Sequence, residues 1–144
     1  MTPADQGPTP ACMAAVHAAA YRLDRPWSEA EFAGLTASPH VMAFGDARAI
    51  LLIRIIADEA EVLTIATHPD HRRKGLARAL LERFHAAARA RGATRAFLEV
   101  AADNTPALTL YLAAGYAQVG QRRAYYDRAA GPAADALVLE RSLI

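Results

Sequence analysis

The chain has a single cysteine, Cys12, among its 144 residues. No intrachain disulfide can form, so the fold must be held by its core, and a reducing compartment fits. Net charge is nearly absent too: 16 basic against 15 acidic residues leave +1. That balance, without interleaved surface aromatics, argues against a general nucleic-acid binder, although a local basic patch remains open. No apolar run approaches the roughly 18 residues a membrane helix needs, so no membrane association is expected. The opening MTPADQGPTP has neither a positive stretch nor an apolar core and does not read as a signal peptide. There is no Walker turn, no G-x-G-x-x-G, no internal repeat and no linker-like stretch. With 53% hydrophobic and 22% charged residues, the expectation is one globular, cytoplasmic domain over residues 1–144.

Thr9-Pro10 offers an N-cap followed by proline at the first helical position, opening an alanine-rich helix over 11–22. LDRP (23–26) breaks it. Ser28 and Glu31 form a capping box that starts a short helix through about Ala37. The pattern then changes to strands at 41–44, 49–57 and 61–67, with turns at Gly45-Asp46 and Asp58-Glu59, an antiparallel meander. From Gly75 to Arg91, Leu76, Leu80, Phe84 and Ala88 recur every four residues, an amphipathic helix closed by Gly92. RAFLEVA (95–101) is apolar on both faces and reads as a central strand covered on both sides. A helix follows from an Asn104 or Thr105 cap to Gly115, then two strands at 116–126 and 134–143 around the loop 128–133. This order predicts an α/β (α+β) fold: a mixed sheet with helices on both faces.

The densest positive charge falls where a helix begins. Arg72, Arg73 and Lys74 run into Gly75 and the first turn Leu76-Ala77, although the helix dipole disfavours cations there. About four N–H groups at such an end point outward unpaired, and glycine lets a ligand approach the backbone. Together they suit a phosphate or pyrophosphate. Taken alone, the run reads equally as a solvated surface. His68 and His71, spaced H-x-x-H, lack a completing Cys, Asp or Glu cluster, so no metal is expected.

Glu99 is a lone carboxylate in the apolar strand. It is either an ion-paired residue, with Arg95 a candidate partner, or a general base whose pKa is raised by apolar surroundings. Asn104 and Tyr111, seven residues apart, share one face of the short helix, about 10 Å apart along its axis. Asn104 reads as an N-cap or a ligand contact. Tyr111 reads as a core aromatic or a proton donor.

Here the sequence resembles the GNAT superfamily of acetyl-coenzyme A-dependent N-acetyltransferases. Arg72-Arg73-Lys74-Gly75-Leu76-Ala77 matches its [RQ]-x-x-G-x-[GA] motif. PWSEAEF (26–32), LTIATHPDHRRKGLARALL (63–81), LEVAADNTPALTLYLAAGY (98–116) and QRRAYYDRAAGPAADALVL (121–139) are closer to the RimI-type branch, which acetylates the N-terminal alanine of a ribosomal protein. The resemblance implies the GNAT fold, with a twisted, mostly antiparallel sheet, and acetyl-CoA as co-substrate. The pyrophosphate would be held by amides at Arg72–Ala77 and the pantetheine arm by Ile65, Ala66 and Thr67. Asn104 and Tyr111 would contact the coenzyme, with Glu99 the general base and Tyr111 the general acid. Ala77 stands where a second glycine is commoner, and the proline-rich start leaves the family's first strand stunted or missing.

The acceptor expected is a protein or peptide N-terminus, a ribosomal protein among the candidates. An α-amine has a reference pKa of roughly 7.7–8.0 against about 10.4 for lysine, so one carboxylate suffices to deprotonate it. Trp27, Phe32, Tyr125 and Tyr126 are candidates to line its groove, or else core and hairpin aromatics. The rivals are a small-amine acetyltransferase, which a screen of free amines would reveal, and a non-catalytic acetyl-CoA-binding module, which would bind without turnover. Cys12 reads as a small buried residue rather than a nucleophile.

Overall fold

Local capping starts the helices where the sequence places them. The computed structural model describes residues 7–20, 25–128 and 131–144. Thr9 Oγ1 accepts from the Cys12 N–H and opens α1 (Pro10–Ala20). The end predicted for this helix, at 21–22, lies outside the described residues. Both arms of the Ser28/Glu31 capping box form and open α2 (Glu29–Thr36). Among the described residues no strand precedes α1.

The strands are β1 (Val41–Asp46), β2 (Ala49–Ile56), β3 (Glu59–Thr67), β4 (Arg95–Ala101), β5 (Ala117–Tyr126) and β6 (Ala134–Ser142), with α3 (Leu76–Ala90) and α4 (Thr105–Ala113) between them. They form one sheet in the order β1-β2-β3-β4-β6-β5, in which only β3 and β4 run parallel. Both early turns fall later or earlier than the sequence indicated. Gly45 and Asp46 stay in β1, and the turn is Ala47-Arg48, fixed by Asp46 Oδ1 accepting from the Arg48 N–H. Gly45 serves a close approach instead: at φ 112 a Cβ would lie 2.0 Å from the Ala49 carbonyl oxygen. The second turn is Ala57-Asp58, and Glu59 already pairs with Ile56.

β2 is apolar except for Arg54, which pairs with Glu61, because most of the strand is buried on both sides. Leu51, Ile53 and Ile55 face a core shared with Leu80, Leu81 and Phe84 of α3 and Tyr111 of α4. Ile50 and Leu52 face a second core with Met13, Val16 and Phe32 of α1 and α2. β4 departs from the expectation of burial on both faces. Ala96, Leu98 and Val100 enter the first core, but Arg95, Phe97 and Glu99 are only partly buried, because α1 and α2 reach over β1–β3 and stop short of β4. No helix among the described residues is long and apolar enough to cross a membrane.

The feature that positions the site is a parting of strands. Ile53 pairs with Val62 and Leu52 with Thr64, so Leu63 is an extra, bulged residue in β3. β3 and β4 pair only as far as Glu61/Phe97, just before that bulge. A bulge bends and twists its strand, and beyond it β3 and β4 diverge. The facing backbone edges of the two strands open there onto a cleft.

Candidate functional site

The cleft has a volume of about 760 Å³. β3 contributes Ile65, Ala66 and Thr67, the turn into α3 contributes Arg72–Ala77, and Ala101 and Asn104 close the β4 side. Thus every residue expected to hold a coenzyme, except Tyr111, lines one cavity.

Its electropositive end is the start of α3. Gly75 is the N-cap, at φ 74, with no side-chain cap. The first bond of the helix runs from the Ala79 N–H to the Gly75 carbonyl at 3.1 Å, so the N–H groups of Gly75 through Arg78 precede the ladder. A Cβ built on Gly75 meets nothing within 4 Å. The space above this backbone is open, as a cradle for a diphosphate requires. Arg73 also has a positive φ, 63, a conformation that costs a non-glycine residue free energy and recurs at ligand clamps. The three cations are exposed, but two already have protein partners: Arg72 reaches the Ala20 carbonyl at 3.4 Å and Lys74 donates to His71 Nδ1 at 3.1 Å. Among the described residues no group of three or more His, Cys, Asp and Glu converges to hold a metal.

Asn104 is an N-cap, and it stands in the cleft wall. Its Oδ1 caps α4 by accepting from the Ala107 N–H at 3.3 Å, and the residue lines the cleft. Tyr111 does not line it. It is 4% exposed, packed in the first core and edge-on to Tyr116 with centroids 5.8 Å apart. Under that ring His85 and Tyr116 bond at 2.8 Å, and His85 Nδ1 accepts from Arg141 at 2.9 Å. An arginine only donates, so the His85 proton sits on Nε2 and the imidazole is neutral. Burial chiefly, with Arg141 and Arg89 beside it, lowers its pKa to about 4. Cys12 keeps a protonated thiol, its pKa raised by burial.

Glu99 stands two residues before Ala101 on β4, about 7 Å along the strand. The apolar enclosure expected for it is absent. Its carboxylate is 26% exposed and ion-paired at 3.1 Å, not with Arg95 but with Arg122 of β5. Arg95 pairs with Glu59 and Glu140 instead. From Glu99 a line of contacts runs back to the cleft. The Arg122 guanidinium lies 5.3 Å from the Tyr125 ring centroid, Tyr125 meets Tyr126 edge-on at 5.2 Å, and Arg128 lies 5.6 Å from Tyr126. Arg128, its side chain 7% exposed, is paired through two 2.9 Å bonds with Asp103 in the cleft wall. Asp103 is held below the usual carboxylate range by that guanidinium.

Tyr125 and Tyr126 are therefore linked with Glu99 through Arg122 and with the cleft wall through Arg128, although neither lines the cleft itself. Phe32 stands elsewhere, fully buried in the second core. Trp27 is half-buried against it, with ring centroids 5.6 Å apart. This corrects the expectation that Phe32 lines a groove. Phe32 and Trp27 instead wall in His17, whose Nδ1 accepts from the Trp27 N–H at 2.9 Å and whose Nε2 meets Thr64 Oγ1 at 3.1 Å. Sequence reasoning also missed Asp103, Arg122 and Arg128. The only signal for Arg122 was a cation in the same strand as two tyrosines. Arg128 and Asp103 are 25 residues apart and carry none.

Residues 9–116 match the model of the acetyltransferase (GNAT) family. The [ribosomal protein bS18]-alanine N-acetyltransferase of Escherichia coli is 34% identical over 122 residues, 78% of this chain and 82% of that protein. The N-alpha-acetyltransferase RimI of Mycobacterium tuberculosis is 37% identical over 82% of this chain and 77% of its own length. The crystal structure of the E. coli ribosomal-protein-S18-alanine N-acetyltransferase superposes with a TM-score of 0.84 at 31% identity, covering 93% of this chain and 87% of that one.

Proposed function

The chain belongs to the GNAT acetyltransferase family, and within it we propose an enzyme that moves the acetyl group of acetyl-CoA to the N-terminal α-amine of a protein. The observation that supports this best is one cleft that joins an open, glycine-capped helix N-terminus to the parted strands β3 and β4, with side-chain contacts running from its wall at Asp103 and Arg128 through Tyr126 and Tyr125 to Arg122 and Glu99. Relatives that act on a ribosomal-protein alanine or on α-amines point to the acceptor class. A ribosomal protein is the acceptor proposed.

The amides from Gly75 to Arg78 would hold the diphosphate, with Arg73 at the rim, and the free edge of Ile65–Thr67 would pair with the amide-bearing arm of the donor. Asn104 keeps its amide N–H groups for that arm. Glu99, directly or through a water, takes a proton from the α-ammonium, and the neutral amine attacks the thioester carbonyl. The C–N bond forms, the C–S bond breaks, and the thiolate takes a proton from the Tyr111 hydroxyl; the nitrogen gives up its second proton as the amide forms, through water, which restores the tyrosine, and Glu99 returns its proton to solvent. Backbone N–H groups polarise the carbonyl in the transition state.

The test is thiol release from acetyl-CoA with alanine-started peptides. Glu99→Gln and Tyr111→Phe should each lower kcat about 100-fold or more while the donor binds as in the wild type. Wild-type rates in both variants would remove the assigned roles. Preference for a small free amine over every peptide would replace the acceptor class.

A further inference from the structure

Arg122 stands against Glu99, the proposed base, and the proposed donor binding and proton transfer do not use it. Its side chain is 58% exposed, with the Glu99 carboxylate 3.1 Å away and the Tyr125 ring on another side. Strand alternation would send residues 122 and 125 to opposite faces. A register shift between Arg122 and Tyr126 prevents this. Ala124 takes a positive φ of 49, and Asp135 pins the bulge by accepting from the Ala124 N–H at 2.8 Å and from Gln121 Nε2 at 2.5 Å. The local backbone is bent so that a guanidinium and a carboxylate present themselves together.

That pair has a definite chemical preference. A guanidinium is a donor only, with five N–H groups in a flat fork, and its contact with Glu99 leaves others available. A ligand that fills the site must therefore offer an acceptor oxygen beside its amine. The α-amine of a peptide has one, the carbonyl of the same residue. A polyamine, an alkylamine or a lysine side chain has none beside its amine, and the further positive charges of a polyamine meet Arg122 as repulsion.

Resting on the acceptor reading above, we propose that Arg122 is a specificity residue: it binds the carbonyl oxygen of the acceptor's first residue while Glu99 receives the ammonium. The enzyme thereby selects amines next to a carbonyl and rejects polyamines.

The experiment compares kcat/KM for an alanine-started peptide, alaninamide, n-butylamine and spermidine across the wild type, Arg122→Met and Arg122→Lys. Ratios between enzymes are read for each acceptor, so differences in amine basicity cancel. Loss of one charge-assisted hydrogen bond predicts a fall of about 10- to 100-fold for peptide and alaninamide in Arg122→Met, mostly in KM. Butylamine and spermidine should stay level or rise, and Arg122→Lys should recover part of the peptide activity. An equal loss on all four acceptors overturns this inference alone and makes Arg122 a support for Glu99. Turnover of no amine by the wild type overturns the acceptor reading, and this inference with it.

Discussion

The proposed donor cleft and the proposed acceptor face beside it are built from different materials. The cleft is mostly backbone: an unpaired helix start at Gly75, and the free edges of β3 and β4 past the Leu63 bulge. The acceptor face is side chains held by other side chains, from Glu99 through Arg122, Tyr125 and Tyr126 to Arg128 and Asp103. Backbone geometry recognises what is constant in a ligand. Side chains can be exchanged to suit a changing acceptor. One fold can thus keep its donor while its acceptor varies, and substitutions should act in opposite ways on the two regions.

The sharpest break is expected at Gly75. A side chain there would enter the open space over the amides, and φ 74 would strain any residue with a Cβ. Gly75→Glu adds a negative charge where a diphosphate should lie. Donor binding measured by calorimetry should fall by more than about 100-fold, two charge-assisted hydrogen bonds or more. The urea midpoint should fall only by the equivalent of about 1–2 kcal/mol, the cost of a Cβ at that φ, since the turn is exposed and the added side chain displaces nothing. Retained donor affinity would mean that the backbone of α3 is not the cradle.

The two regions also differed in how far the sequence disclosed them. Gly75 was readable as a helix start because it stands just before a strict four-residue apolar repeat. The caps at Thr9 and Ser28 were readable for the same local reason. The parting of β3 and β4 was not, since Leu63 looks like any other strand residue and the bulge depends on its pairing with β2. On the acceptor face, an alanine at positive φ carries no signature, so the meeting of Arg122 with Tyr125 was invisible. Phe32 and Trp27 look alike whether they line a groove or a core. Only the placement of α1 and α2 over β1–β3 decided for the core. Local chemistry was legible, and contacts made across the sheet were not.

Each helical layer rests on a buried neutral imidazole, His85 in α3 and His17 in α1. Burial is the main cause that lowers both pKa values from 6.5 to about 4. For His17 the carboxylate of Glu31 works against it and Arg25 with it. The unfolded chain therefore binds more protons than the fold between about pH 6.5 and 4. Stability from these groups is complete above that window and lost as pH falls through it. Each histidine should withdraw on the order of 3 kcal/mol by pH 4. The urea midpoint should drop accordingly, and His17→Gln or His85→Gln should flatten the slope. A midpoint constant from pH 7 to 4.5 would contradict the burial of both rings.

A smaller effect is expected at Asp135, which holds the Ala124 bulge from outside. The Ala124 N–H first, then Gln121, keeps its carboxylate below the ordinary range. Asp135→Ala frees the bulge, and the peptide KM should rise severalfold, about one hydrogen bond's worth, with donor affinity unchanged. A donor effect equal to the acceptor effect would show that the two regions are not separable at this strand.

The smallest effect belongs to Arg73. It is exposed, and its charge acts through solvent, where pairs count for little. Gln tolerates the same positive φ no worse than arginine, so Arg73→Gln changes the charge and leaves the turn. Donor affinity should weaken only a few-fold, about 1 kcal/mol or less, and the difference should vanish in high salt. Its contrast with Gly75→Glu carries the argument. If both changes were equally mild, the cations would hold the diphosphate and the amides would be incidental. If Gly75→Glu abolishes binding while Arg73→Gln only makes it less salt-sensitive, the cations steer the ligand and the helix end holds it. The positive charge at the positive end of α3 would then be a cost that the empty protein carries for its ligand.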